Sequence, residues 1–463
     1  MAGNKGFIPP YVLQNVAHSG AADITTRDAA AGTLRTQEKI AAGATSTPEV
    51  SKSEVISITP LLKRLWPSPS NQSVSASEIA FALSHIFTNS LSPVQTGALL
   101  TALHFTGEDR KPAVLSACAA EMRGASTVPD ATLLRECVAK NGAKLKRGGY
   151  RGGLCDIVGT GGDSHNTYNV STTSSIIASA YLLLAKHGNR ASTSASGSAD
   201  LLTSPVARPR PAVLTATTPS TITAVYEKTN YAFLFAPVFH PGMAYVAPVR
   251  KELGWRTIFN LLGPLSNPIE STGTLEARMI GVARRDVGPA FAEALALGGA
   301  TKALVVCGDE ELDEISCAGL THCWAVQPIA DDEVADGDDE ERQRTTTTYF
   351  ALQPSDFGLP AHPLSEVHPG GTPTQNAEIL MNFLDGKIAD DDPVLHFVLM
   401  NTAALLVIAG VCDEDEAETI KETGPGGFRW KEGVRLARLA IKDGRAKEMW
   451  AAFANVTNEL SGQ

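Results

Sequence analysis

No Cys-x-x-Cys pair occurs among the seven cysteines, an odd number spread from Cys118 to Cys412. A disulfide framework and a thiolate zinc site are therefore not expected, and the pattern fits reduced thiols in a cytoplasmic protein. His-Glu-x-x-His is also absent, which removes a common zinc-peptidase arrangement. Positive charge is in short supply: 39 Lys and Arg against 50 Asp and Glu leave a net charge of −11 at pH 7. That balance argues against a surface that grips nucleic acid broadly. A secretory leader is not expected, because Pro9-Pro10 breaks the first apolar stretch, and Asp23, Asp28 and Glu38 run against a mitochondrial presequence. The one long apolar run, Val394 to Cys412, is interrupted by His396, Asn401, Thr402 and Gly410. A membrane span needs about 20 mainly apolar residues, so a buried helix is expected there and no membrane partner.

What is present is an ordinary globular composition, 43% hydrophobic and 19% charged over 463 residues, enough for more than one lobe. Residues 1–52 are rich in Ala, Gly, Ser and Thr with little apolar periodicity, and are expected to form a disordered or weakly structured extension. Residues 53–130 read as a helical domain. Ser75-Ala76-Ser77-Glu78 is a capping box, with Ile79, Ala82, Leu83 and Ile86 following on one face. Ser92-Pro93 opens a second helix through Leu103, and a third runs from Asp109 to Arg123 and stops at Gly124. Helices from residues 241–256 are expected to join this lobe. From 150 to 463 the texture changes to alternation, with strands expected at 155–158, 182–187, 232–237, 279–282 and 303–306. Helices are expected at 172–180, 287–297, 376–384 and 434–441. The fold class is therefore α/β: a small N-terminal all-α lobe, and a large lobe with a central, mainly parallel sheet flanked by helices and its site at the strand ends. The acidic run Asp331 to Glu341, which leads to Thr345-Thr346-Thr347-Thr348, reads as a solvated loop.

Three neighbouring segments carry the chemistry. Cys155-Asp156-Ile157-Val158 is a short apolar run ending in Gly159-Thr160-Gly161-Gly162-Asp163, as a buried strand does at the rim of a sheet. Glycines let the backbone turn sharply and let a phosphate approach its N–H groups. Asn169-Val170-Ser171-Thr172 then leads into a helix that begins at a hydroxyl-rich cap, and a helix start offers free N–H donors to an anion. Lys186-His187-Gly188-Asn189-Arg190 adds positive donors. A distant negative surface does not exclude an anionic substrate, because salt screens it over about 8–10 Å.

These segments, with Ser196-Gly197-Ser198-Ala199-Asp200, His240-Pro241-Gly242-Met243, Pro248-Val249-Arg250-Lys251, Phe259-Asn260-Leu261-Leu262-Gly263-Pro264-Leu265 and Leu312-Asp313-Glu314-Ile315-Ser316, resemble in kind and order the signatures of the anthranilate phosphoribosyltransferase family. The resemblance runs from about Ser53 to the C-terminus. It implies a magnesium-dependent transfer of 5-phosphoribosyl from phosphoribosyl pyrophosphate to the amino group of anthranilate, in tryptophan biosynthesis, by a homodimer. It also implies that Gly159, Thr160, Gly161, Gly162 and Asp163 contact the phosphoribosyl pyrophosphate, that Asn169, Ser171 and Thr172 hold its phosphates, and that Lys186 and Ser198 face the pyrophosphate. His187, Asn189, His240, Arg250 and Pro264 would line the anthranilate site, with Arg250 as the carboxylate anchor. Ser171, Asp313 and Glu314 would hold the metal. No acid or base residue is implied, because an aromatic amine is neutral at pH 7 and already nucleophilic once held in line.

Departures from the family pattern are local. Tyr181 stands where glycine commonly ends the helix after Asn-x-Ser-Thr, which implies strain of about 1–2 kcal/mol if φ is positive there. Pro205, Pro209 and Pro211 replace a helical continuation with a surface loop, and His165-Asn166 stands where a small residue is usual. Two alternatives share the architecture: a pyrimidine nucleoside phosphorylase, in which the Asp313-Glu314 pair would be idle, and a non-enzymatic relative that binds nucleic acid.

Overall fold

The computed structural model describes residues 55–66, 73–191, 197–329, 345–368 and 371–462. The extension at 1–52 and the acidic run at 331–341 lie outside the described residues. Five helices come first: α1 (Thr59–Leu65), α2 (Ala76–Phe87), α3 (Pro93–Thr106), α4 (Pro112–Gly124) and α5 (Ala131–Gly142). Ser75 caps α2 in a complete capping box with Glu78, and Ser92 caps α3 with Pro93 in the first turn. The third expected helix starts later than Asp109, because Lys111 is extended and Pro112 opens α4. Buried Ile79, Ala82, Leu83 and Ile86 form the inner face of α2.

The remaining elements are β1 (Leu154–Gly159), α6 (Val170–Ala178), β2 (Leu183–Gly188), α7 (Ser198–Leu202), α8 (Ile222–Tyr226), β3 (Tyr231–Phe235), α9 (Ala236–Phe239), α10 (Met243–Leu253), α11 (Ile258–Leu265), β4 (Leu275–Gly281) and α12 (Gly288–Leu297). They continue with β5 (Ala303–Gly308), β6 (Thr321–Pro328), β7 (Thr345–Leu352), α13 (Pro373–Leu384), α14 (Pro393–Ala409), α15 (Trp430–Lys442) and α16 (Arg445–Leu460). The strands form one sheet in the order β3-β2-β1-β4-β5-β6-β7. The first five in that order are parallel, and β6 and β7 are antiparallel additions.

Successive side chains on a strand face opposite sides, and here each side has its own core. Met279 and Leu304 join α6, α14, α15 and α16 on one face, while Ile280 and Val305 join α2, α3, α4, α11 and α12 on the other. Val246 of α10 is buried in this second core, beside the first helices. α14 is buried along nearly its whole length, and among the described residues no helix is long and apolar enough to cross a membrane.

Three expectations change. Thr345–Thr348 is the start of edge strand β7 and not the end of a loop; β-branched threonines suit a pleated, half-exposed edge. Tyr181 is not among the non-glycine residues with positive φ, which are Asn89, Ser164 and Glu311, so the anticipated strain is absent. Its ring is buried under the guanidinium of Arg445, whose Cζ lies 4.3 Å from the centroid and whose Nη2 donates to the phenol oxygen at 2.7 Å. The proline-rich loop after α7 is also more than a surface excursion. Trp450 Nε1 donates to Arg208 O at 2.7 Å and Asn458 Nδ2 to Pro211 O at 2.8 Å, which pin the loop to α16.

Candidate active site

The ends of β1 and β4 create the site by what they omit. Thr160 N–H continues the ladder to Gly281 O at 2.9 Å, and Gly161 and Gly162 then take φ of +64° and +74°, which turn the chain out of the sheet. A Cβ at Gly159 would lie 2.3 Å from Asp313 Oδ2, and one at Gly281 would lie 1.6 Å from Asp313 O. Both strands therefore end in glycine so that the segment carrying Asp313 can cross them.

The helix that follows is capped by Asn169, whose side chain accepts the Thr172 N–H at 3.3 Å. The cap is thus an amide two residues before the hydroxyl cluster, and Thr173, Ser174 and Ser175 are buried. Thr172 Oγ1 donates to Ser198 Oγ at 2.8 Å, which ties α6 to the start of α7. His165 Nε2 meets Glu310 O at 2.8 Å, so this residue braces the glycine turn against the loop before Asp313.

Two cavities meet here. The first, about 710 Å³, is lined by Gly159, Thr160, Gly161, Gly162, Asp163, Asn169, Ser171, Ser198, Asp313 and Glu314, and also by Asn189, Arg190 and Arg256. Most of the residues expected to hold phosphoribosyl pyrophosphate are in this wall. Thr172 and Lys186 are behind it. Lys186 is 1% exposed, donates from Nζ to Ile157 O at 2.6 Å, and is held down to a pKa of about 8 by burial, against the pull of Asp156 and Glu314. Asp156 is buried as well and accepts from Asn267 Nδ2 at 2.9 Å and from His187 N–H at 3.2 Å, a polar network beneath the site.

The second cavity, about 470 Å³, brings together His187, Asn189, His240, Arg250 and Pro264, all five residues expected at the acceptor site. Its other walls are mainly apolar, among them Met122, Ala236, Met243 and Phe259. The His187 and His240 rings lie 5.1 Å apart. Burial is the main cause that drives His187 down to a pKa of about 4 and His240 to about 3, so both are neutral at pH 7. Arg250 is half-buried, donates to Asn260 Oδ1 at 3.3 Å and rests over the Phe259 ring at 5.7 Å. Gly159, Thr160 and Asn189 belong to both cavities.

Asp313 Oδ2 accepts Gly161 N–H at 2.6 Å, while the buried Glu314 Oε2 has no hydrogen-bond partner among the described residues. Burial, then the nearby acids, pushes both carboxyls above the usual range. Such a pair suits a hard dication, which would offset the cost of burying two ionised groups. No cluster of three or more His, Cys, Asp or Glu ligands exists among the described residues. A metal here would thus rely on two carboxylates and on substrate phosphates, the usual manner of magnesium.

Two positions escape a reading by motif. Asn401, a polar interruption of the apolar run, lies inside α14 with Oδ1 accepting Ile315 N–H at 2.9 Å and Nδ2 donating to Ile315 O at 3.1 Å, which fixes the residue next to Glu314. Arg256 follows the glycine that ends α10, and its charge is visible in the sequence but its direction is not.

Comparison with known proteins agrees over most of the chain. Residues 59–126 match the helical bundle domain of a glycosyl transferase family, and residues 151–447 match the a/b domain of that family. The anthranilate phosphoribosyltransferase of Schizosaccharomyces pombe is 41% identical over 379 residues, 82% of this chain and 91% of that protein. The Saccharomyces cerevisiae enzyme in complex with PRPP and Mg superposes with a TM-score of 0.67 at 29% identity, covering 86% of this chain and 97% of that one. The same enzyme in complex with 4-fluoroanthranilate gives 0.66 at 28% identity, covering 86% of this chain and 96% of that one.

Proposed function

The chain belongs to the anthranilate phosphoribosyltransferase family, and from that premise we infer how its two cavities divide the substrates. The protein transfers 5-phosphoribosyl from phosphoribosyl pyrophosphate to the amino group of anthranilate and releases pyrophosphate, with magnesium as cofactor. The observation that carries the division is the meeting of two unlike cavities at Gly159, Thr160 and Asn189: one with glycine N–H groups and carboxylates, the other apolar with a single arginine.

In this reading the glycine turn and the start of α6 hold the phosphates with backbone donors, and Asp313, Glu314 and Ser171 hold magnesium. Bound magnesium neutralises the charge that develops on the departing pyrophosphate. Arg250 pairs with the anthranilate carboxylate in a two-bond fork, and the neutral histidines and Pro264 flank the ring. The amine then faces the anomeric carbon across the shared wall, so positioning and charge stabilisation supply the catalysis. The relatives leave the phosphorolytic and nucleic-acid-binding alternatives without support.

Three further assignments are proposals. A homodimer through the helical lobe is supported by Trp66, Phe81 and Phe105, which are large, apolar and exposed there. A cytoplasmic location is supported by seven cysteines that are all free. The net charge of −11 supports a protein without a nucleic-acid partner. The decisive test follows anthranilate fluorescence with and without magnesium. Consumption that requires both phosphoribosyl pyrophosphate and the metal supports the assignment, and no consumption under either condition overturns it.

A further inference from the structure

Arg256 stands on the wall of the larger cavity with donors it does not use internally. Its one hydrogen bond among the described residues is from Nη2 to Thr160 O at 3.3 Å, which leaves most of the guanidinium donors unspent. No carboxylate lies within ion-pair distance of it among the described residues, although Asp313 and Asp163 are near enough to stabilise its charge. The guanidinium occupies space that only a glycine could leave: a Cβ at Gly162 would sit 1.4 Å from Nη1. The glycine turn and Arg256 are therefore fitted to one another.

The other cations nearby are placed differently, one ion-paired and one buried. Arg190, the second arginine of that wall, donates to Asp200 at 3.0 Å, and the Lys186 ammonium is behind the wall on Ile157 O. Three acids, Asp163, Asp313 and Glu314, share the same cavity. A ligand carrying a diphosphate must enter beside them, and a dication offsets only part of the combined negative charge. A planar fork with no carboxylate partner is what such a ligand lacks elsewhere in the wall.

We propose that Arg256 is a further ligand of the diphosphate group, gripping the pyrophosphate in both the substrate and the departing product. The proposal rests on the assignment of the larger cavity to phosphoribosyl pyrophosphate. Arg256 is a catalytic residue in this account because it touches the leaving group, and the bond to Thr160 O is its resting contact.

The test measures binding of three ligands, in the presence of magnesium, to the wild-type protein and to Arg256→Ala: phosphoribosyl pyrophosphate, inorganic pyrophosphate and ribose 5-phosphate. Loss of a hydrogen-bonded charge contact should weaken the two diphosphates about 10- to 100-fold. Ribose 5-phosphate, which lacks the diphosphate, should stay within about twofold, the scatter expected of a remote change. Equal losses for all three ligands would mean that Arg256 only props the glycine turn, and unchanged pyrophosphate affinity would exclude the contact; either overturns the proposal. Should the alanine variant not fold, Arg256→Gln keeps a donor for Thr160 O and gives the same comparison. A wild-type protein that binds neither diphosphate would instead overturn the cavity assignment, and the proposal with it.

Discussion

Asp313 accepts the Gly161 N–H at 2.6 Å, so the acid pair and the glycine turn are one unit although 152 residues separate them in sequence. Replacing both carboxylates by amides, Asp313→Asn with Glu314→Gln, removes the two half-buried carboxylates that a dication would satisfy. Turnover should fall strongly while the thermal midpoint stays level or rises, because burial already opposes ionisation of both groups. Steady-state assays across a magnesium series, beside thermal melts, check this; undiminished activity at limiting magnesium contradicts it.

Asn401 reaches the same unit from beneath. In Asn401→Ala the Ile315 N–H and C=O lose their buried partner. Stability should drop by about 1–3 kcal/mol, the cost of an unsatisfied buried group. More magnesium should also be needed for half-maximal activity. Denaturant unfolding and a metal titration read the two effects separately.

Arg250 and Lys186 should give opposite selectivities. Arg250→Ala removes the one cation of the acceptor cavity, and anthranilate binding should weaken by about 1.5–3 kcal/mol with phosphoribosyl pyrophosphate affinity nearly unchanged. Lys186→Ala removes a buried charge that Asp156 and Glu314 feel, so phosphoribosyl pyrophosphate affinity and fold stability should both fall. Titrating each variant with each ligand decides the matter. Equal losses of both ligands in the Arg250 variant would refute its role as the carboxylate anchor.

The two neutral histidines should make the protein sensitive to mild acid. Their folded pKa values, about 4 for His187 and about 3 for His240, lie below the ordinary 6.5, so the unfolded chain takes up protons first as pH falls. Stability should therefore decline from about pH 6.5 down to about pH 4 for His187 and about pH 3 for His240, by roughly 2 kcal/mol per histidine at pH 5. Denaturant unfolding at pH 7, 6 and 5 should show a shallower decline in His187→Gln and His240→Gln than in the wild type. Parallel declines would count against burial as the cause.

Much of this is legible in the sequence because the signals are local. Ser75 and Glu78 announce a helix start, and the apolar run before Gly159 announces a strand reaching a rim. β6 and β7 are harder, since Thr321–Pro328 mixes His322, Cys323 and Gln327 and gains its strand character from pairing with β5. α16 is set by its packing against the pinned proline loop, a contact made across more than 200 residues. The acceptor residues can be gathered by motif, but nothing in the sequence shows that Lys186 is tucked behind the wall or that Arg256 leans over Gly162. Those are directions of side chains, and direction is a property of the assembled sheet.

Gly159, Thr160 and Asn189 belong to both cavities. Two ligands that share a wall cannot be thermodynamically independent if either one orders it. Whatever phosphoribosyl pyrophosphate does to the affinity for anthranilate, anthranilate must do in equal measure to the affinity for phosphoribosyl pyrophosphate. The shared wall is thus a coupling element as well as a surface.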